Sequence, residues 1–139
     1  MDRNGGGSVH IVVIDDDAAI RDLFGDLLRS EGYRVSLLAA PIPPAELLPL
    51  DPDLLILDLV VGGRYAPDGQ TYLHAIKAEP ATASLPVMVC SAATDLIERL
   101  RADLERWSCA ICPKPFDLDE VLDGVRSCLE ESPANAATG

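Results

Sequence analysis

The sequence predicts an α/β domain, a five-stranded parallel sheet with helices on both faces. Three observations predict it. Short branched apolar runs alternate five times with stretches of helical periodicity, the pattern of a parallel sheet joined by right-handed crossovers. The runs are continuous, as in Leu54-Leu55-Ile56-Leu57, which marks strands buried on both faces. Several of them also stop abruptly at a polar residue, as at Asp15, Asp58 and Ser91. A carboxylate inside a buried strand needs a partner, whereas one at the strand's C-terminal end sits where α/β folds place their ligands.

Taken in order, Val9 to Ile14 is a first strand ending at Asp15-Asp16-Asp17. Ile20, Leu23, Phe24, Leu27 and Leu28 then form one helical face, with Asp17 as N-cap and Gly32 as terminator. Tyr33 to Leu38 reads as a second strand. The proline-loaded stretch from Pro41 to Pro52 leaves room only for a short helix near Pro44–Leu48. The third strand ends at Asp58. A glycine-rich loop, 62–69, leads to a helix from about Asp68 to Ala78. Leu85 to Cys90 is a fourth strand ending at Ser91. Leu96, Ile97, Leu100, Leu104 and Trp107 line the next helix. Ser108 to Cys112 is a fifth strand, followed by Pro113-Lys114-Pro115-Phe116. The last helix opens on Asp117 with Glu120 three residues on, a capping-box pattern, and turns Leu118, Val121, Leu122, Val125 and Leu129 inward.

A length of 139 residues and 48% hydrophobic content suit one domain with a real core. Residues 9–130 carry the pattern. Residues 1–8 and 131–139 are polar and small and read as flexible ends. No apolar run approaches the roughly 20 residues that span a bilayer, and the N-terminus lacks a signal-peptide core, so a cytoplasmic protein without a membrane partner is expected. The net charge of -12 argues against nucleic acid, whose phosphates attract cationic surfaces. The four cysteines, Cys90, Cys109, Cys112 and Cys128, default to thiols in the cytosol. Cys109 and Cys112 have C-x-x-C spacing, but three positions apart on a strand they point to opposite faces, so they read as buried apolar thiols. His10 and His74 are isolated and receive no metal role.

All parallel strands share one C-terminal edge. The first delivers Asp15 and Asp16, the third Asp58, the fourth Ser91 and the fifth Lys114. Singly, these are a helix-capping cluster, a loop acid, a turn residue and a surface lysine. Their arrival at one edge is what those separate readings leave unexplained. Clustered carboxylates need a cation between them. Few hard oxygen ligands suit Mg²⁺, which keeps waters and binds phosphate oxygens. The lysine adds positive charge and the serine a hydrogen bond, which together suit a phosphoryl group. Asp58 is then the candidate nucleophile, forming an aspartyl-phosphate.

The motifs Val12-Val13-Ile14-Asp15-Asp16-Asp17, Leu55-Ile56-Leu57-Asp58-Leu59, Val87-Met88-Val89-Cys90-Ser91-Ala92 and Pro113-Lys114-Pro115-Phe116 resemble the receiver domain of bacterial two-component response regulators. The resemblance runs from about Val9 to Glu130. It implies a flavodoxin-like sheet of order 2-1-3-4-5, with Asp58 taking a phosphoryl group from a sensor histidine kinase or histidine phosphotransfer protein. It implies Mg²⁺ held by Asp16, Asp58 and the backbone carbonyl of Val60, with Asp15 acting mainly through water. Lys114 would pair with the acyl phosphate, Ser91 would swing toward it, and the Lys114–Pro115 bond would be cis. Output would pass to a protein target through the fourth helix, fifth strand and fifth helix, since no DNA-binding segment follows the last helix. The expected type is a single-domain regulator, with a fragment of a larger one as the other possibility.

Departures from the family pattern are specific. Ile111 stands where the family has an aromatic switch residue. Gly62 replaces a proline after Asp58, and Asp68-Gly69 arrives about three residues late. Trp107 replaces a glycine before the fifth strand; its spacing with Leu100 and Leu104 places it in the core. Ile111 and the long loop favour a second class, an adaptor with the receiver fold that works without phosphorylation. A phosphatase of the haloacid dehalogenase type also uses a strand-end aspartate, but it needs an acid where this chain has Val60. The only chemistry expected is gain and loss of one phosphoryl group at Asp58, so the chain is not read as an enzyme.

Overall fold

A computed structural model of the chain describes residues 9–59, 69–114 and 116–130. Its elements follow in the order β1 (His10–Ile14), α1 (Ala18–Ser30), β2 (Arg34–Leu38), α2 (Pro44–Leu47), a 3-10 turn (Leu48–Leu50), β3 (Leu54–Leu57), α3 (Gly69–Ala78), β4 (Val87–Ser91), α4 (Thr94–Arg106), β5 (Ala110–Pro113) and α5 (Leu118–Glu130). The sheet is parallel throughout, in the order β2-β1-β3-β4-β5.

The continuous apolar runs are explained by the pleat. Successive strand side chains point to opposite faces, and here both faces are covered. Val12, Ile14, Leu55, Leu57, Val87 and Val89 pack on Tyr72, Leu73 and Ile76 of α3 and Ile97, Leu100 and Leu104 of α4. Ile11, Val13, Leu54, Ile56, Met88 and Cys90 pack on Phe24 and Leu28 of α1 and Val121, Leu122 and Val125 of α5. β1, β3 and β4 are fully buried, while the edge strands β2 and β5 are half-exposed.

Local signals account for the boundaries. The Asp17 side chain accepts from the N–H groups of Ala19 and Ile20 and caps α1, a contribution of about 1 kcal/mol. Gly32 follows with φ +91°. Asp117 Oδ1 accepts from Glu120 N–H at 2.8 Å at the head of α5. The prolines confine α2 to Pro44–Leu47 before the chain tightens into the 3-10 turn. Two strands are shifted from expectation. β4 begins at Val87, because Pro86 has no N–H for the ladder and supplies only its carbonyl, to Leu55 N–H. β5 begins at Ala110, because Ser108 adopts a left-handed φ of 55°.

Several expectations need correction. Leu23 and Leu118, placed on inward faces, are 39% and 42% exposed; each lies at the margin of its helical stripe. Trp107 is half-buried at the rim of the core, with the His74 ring edge-on at 4.9 Å and the Arg106 guanidinium over its face. His74 is therefore not isolated, and it also lies 3.8 Å from Asp103. His10 is buried. Its Nδ1–H donates to the Leu50 carbonyl at 2.6 Å, and Nε2 lies 2.8 Å from the Ser36 hydroxyl. All four cysteines are free thiols. Cys109 and Cys112 contribute to opposite faces of the sheet, and Cys90 faces Cys112 across the β4–β5 register. The lengthened loop and the Lys114–Pro115 bond lie outside the described residues. Among the described residues no helix is long and apolar enough to cross a membrane.

A left-handed serine costs about 1–2 kcal/mol, and glycine's extra chain entropy returns about half of that. Ser108→Gly is expected to raise stability by about 0.5 kcal/mol in urea melts.

Candidate functional site

The β-strand ends deliver their polar residues because the ladder fixes them there. Asp15 N–H bonds to Leu38 O and Asp58 N–H to Ile14 O, each at 3.1 Å, which extends the sheet's bonding one residue beyond β1 and β3. Lys114 N–H bonds to Ser91 O at 2.9 Å, which does the same beyond β5. Three acids and a lysine that are far apart in sequence thus come to one edge.

Ligand oxygens of Asp15, Asp16 and Asp58 all lie within 4.8 Å of one another. Asp15 and Asp58 are buried, at 2% and 8% exposure, whereas Asp16 is exposed. Lys114 Nζ lies between the two buried acids, 2.9 Å from Asp15 Oδ2 and 3.2 Å from Asp58 Oδ2. Burial alone would lower the pKa of this amine. The hydrogen bond and charge of Asp15, with those of Asp58, outweigh burial and hold it above its ordinary value. Asp15 has both oxygens engaged, since Oδ1 accepts from Asp17 N–H at 2.9 Å.

Ser91 is fully buried. Its hydroxyl accepts from Ala93 N–H at 3.1 Å and so caps the loop into α4; it is not bonded to Asp58 or Lys114. Ile111 is half-buried against the α3–α4 side of the sheet. Val60, the expected source of a backbone ligand, lies outside the described residues. The structure therefore gathers Asp15, Asp16, Asp58 and Lys114, and sets Ser91 beside Lys114 with its hydroxyl on Ala93 N–H.

Two residues of the frame were given no structural role from the sequence. Gly69, at the start of α3, abuts the backbone of the third strand's end. A Cβ there would lie 2.5 Å from Leu59 Cα and closer still to Asp58 O. Arg21 donates from Nη1 to the Asp15 carbonyl at 2.8 Å. The Asp-Gly pair was a visible signal for the first. The second had only its place one helical turn after the acidic triplet.

This fold, with acids on β1 and β3 and a lysine after β5, defines a class. The family model described as the response regulator receiver domain matches residues 11–126, and the chain belongs to that family. It is 32% identical over 123 residues to the DNA-binding dual master transcriptional regulator RpaA of Synechocystis, covering 88% of this chain and 49% of that protein. It is 32% identical over 126 residues to the response regulator MprA of Mycobacterium ulcerans, covering 90% and 52%. The chain thus spans about half the length of these curated relatives. Among solved structures, NtrX from Brucella abortus in complex with ATP superposes with a TM-score of 0.76 at 27% identity, over 95% of this chain and 29% of that one. A CheY-like receiver domain protein from Methanospirillum hungatei shares the fold with a TM-score of 0.73 at 21% identity, over 96% and 100%. Since RpaA is named as DNA-binding, the expectation that nucleic acid is no partner gains no support.

Receiver domains generally bind Mg²⁺ at an acidic pocket, and the donor set here fits that ion. All three side chains offer hard oxygens, the spacing allows them to share one cation, and few enough ligands converge to leave room for water.

Two predictions follow from the geometry. Gly69→Ala should cost about 2–3 kcal/mol in denaturant melts, since the methyl meets backbone that cannot swing aside. A lysine whose pKa rises on folding stabilises the fold fully below its unfolded value of 10.5 and loses that contribution as pH climbs through the higher folded value. Lys114→Met, which keeps the stem, should cost about 1.5 kcal/mol at pH near 8 without divalent ions, and the deficit should shrink above pH 10.5. A constant deficit across that range would assign the effect to packing.

Proposed function

We propose that residues 9–130 act as a phosphorylation-switched signalling module in which Asp58 accepts a phosphoryl group. The supporting observation is the position of Asp58, at the end of β3, 3.2 Å from Lys114 Nζ and clustered with Asp15 and Asp16. The donor is a histidine kinase or histidine phosphotransfer protein. An Asp58 carboxylate oxygen forms the new P–O bond, the donor's P–N bond breaks, and its electron pair stays on the imidazole. Mg²⁺, when bound by Asp16, Asp58 and the Val60 carbonyl, with Asp15 acting through water, supplies charge neutralisation at the phosphoryl oxygens. Lys114 exchanges its carboxylate partner at Asp58 for the acyl phosphate and keeps Asp15. The chain's own part in the chemistry is to take the phosphoryl group onto Asp58 and later to lose it to water there.

Switching then works through Ser91. Its hydroxyl leaves Ala93 N–H and turns to the phosphoryl oxygens, which frees the head of α4 and shifts a two-state equilibrium. The surface it alters is α4, β5 and α5, offered to a protein target. The aromatic rotamer that would couple to this motion is replaced by Ile111, so the signal travels through Ser91 and the loop after β4. That same substitution favours a second reading, an adaptor that binds its target without phosphorylation.

Acetyl phosphate with Mg²⁺, followed by intact mass, separates the two. The wild type should gain about 80 Da, one phosphoryl group, and Asp58→Asn should gain nothing. An unmodified wild type leaves the adaptor.

A further inference from the structure

Asp15 is fastened at every polar group it has. Its N–H donates to Leu38 O, Oδ1 accepts from Asp17 N–H, Oδ2 accepts from Lys114 Nζ, and its carbonyl accepts from Arg21 Nη1. The first three partners belong to the ladder, the helix cap and the acid–lysine cluster. The fourth has no place in the chemistry described so far.

Arg21 lies in the first turns of α1, four residues beyond the Asp17 cap. Two forces oppose a guanidinium there. The N-terminal end of a helix carries partial positive charge and disfavours cations. Holding so long a side chain in one geometry costs up to about 2 kcal/mol of rotamer entropy. The bond at 2.8 Å nevertheless reaches back from the helix to the last carbonyl before Asp16.

That carbonyl has a geometric consequence. The Asp15 C=O and the Asp16 N–H share one planar peptide, so fixing the carbonyl fixes the plane from which Asp16 departs. The Asp16 side chain is exposed and has no hydrogen bond or ion pair among the described residues, so the backbone, which sets the direction of its Cα–Cβ bond, is the constraint on where the carboxylate can reach. Asp16 is also the cluster member whose oxygens are not already committed to Lys114.

We propose that Arg21 is a positioning residue for the divalent-cation site, holding the Asp15–Asp16 peptide so that the Asp16 carboxylate faces Asp58. This rests on the Mg²⁺ reading of the acidic cluster given above. The role is separable from a charge effect because the two have opposite signs. A guanidinium near the site repels a divalent cation, so deleting it for charge alone tightens Mg²⁺ binding. Deleting a group that orients a ligand weakens it, by roughly tenfold or more where outer partners have been removed from metal sites.

The test is calorimetric titration of the full chain with MgCl₂, comparing wild type, Arg21→Met, Asp16→Asn and the double variant, with urea melts in chelator as a folding control. Arg21→Met should bind Mg²⁺ roughly tenfold more weakly with little change in the urea midpoint. In the Asp16→Asn background the same substitution should add almost nothing, since there is no carboxylate left to aim. Binding by Arg21→Met that is unchanged or tighter overturns the proposal, as does an equal loss in both backgrounds. If Arg21→Met does not fold, Arg21→Gln takes its place with the same expected outcomes. A wild type that fails to bind Mg²⁺ sinks the metal reading and this role together, whereas wild-type binding indifferent to Arg21 sinks this role alone.

Discussion

The ammonium of Lys114 between the carboxylates of Asp15 and Asp58 is the constraint on which the rest depends. Two buried acids side by side repel each other at an edge where water screens them only in part. One lysine, 2.9 and 3.2 Å away, holds both. It also ties the far strand β5 to β1 and β3, across β4. The backbone bond from Lys114 N–H to Ser91 O keeps the amine's stem beside the fourth strand.

The scaffold explains why the site can be so polar. Six apolar strand residues on each face lock β1, β3 and β4 between two helical layers. The acid cluster therefore sits at the ends of strands buried on both faces. Just outside lie the Ser91 hydroxyl, bonded to Ala93 N–H at the head of α4, and the exposed Asp16. The absence of a Cβ at Gly69 lets the start of α3 approach the backbone at Asp58 and Leu59 closely.

Family membership narrows function to a receiver domain, and the chain's departures make it particular. Ile111 occupies the inner side of β5 without an aromatic ring to swing. Trp107, where the resemblance expects a glycine, has an ordinary φ of -90°, and the left-handed residue is Ser108. β5 starts just after it, at Ala110. The indole packs on the core cluster that includes Leu100 and Leu104, as its spacing predicted, and its outer part meets His74 and Arg106.

Sequence by itself determined the class of fold, the order of elements and the identity of the clustered acids and lysine. Those are carried by local signals: continuous apolar runs, caps, prolines, and polar residues ending each strand. Its errors fell where a local pattern meets a boundary. Leu23 and Leu118 fit a helical stripe, but the layer beneath is not wide enough to cover them. Strand starts at Val87 and Ala110 depended on a proline and on a backbone angle. The tertiary structure alone decided that Asp15 is bonded at every polar group, that the Ser91 hydroxyl faces Ala93, and that Arg21 reaches the Asp15 carbonyl. Each is a contact of a few ångströms set by side-chain rotamers and chain packing, which no spacing of residues along a sequence encodes.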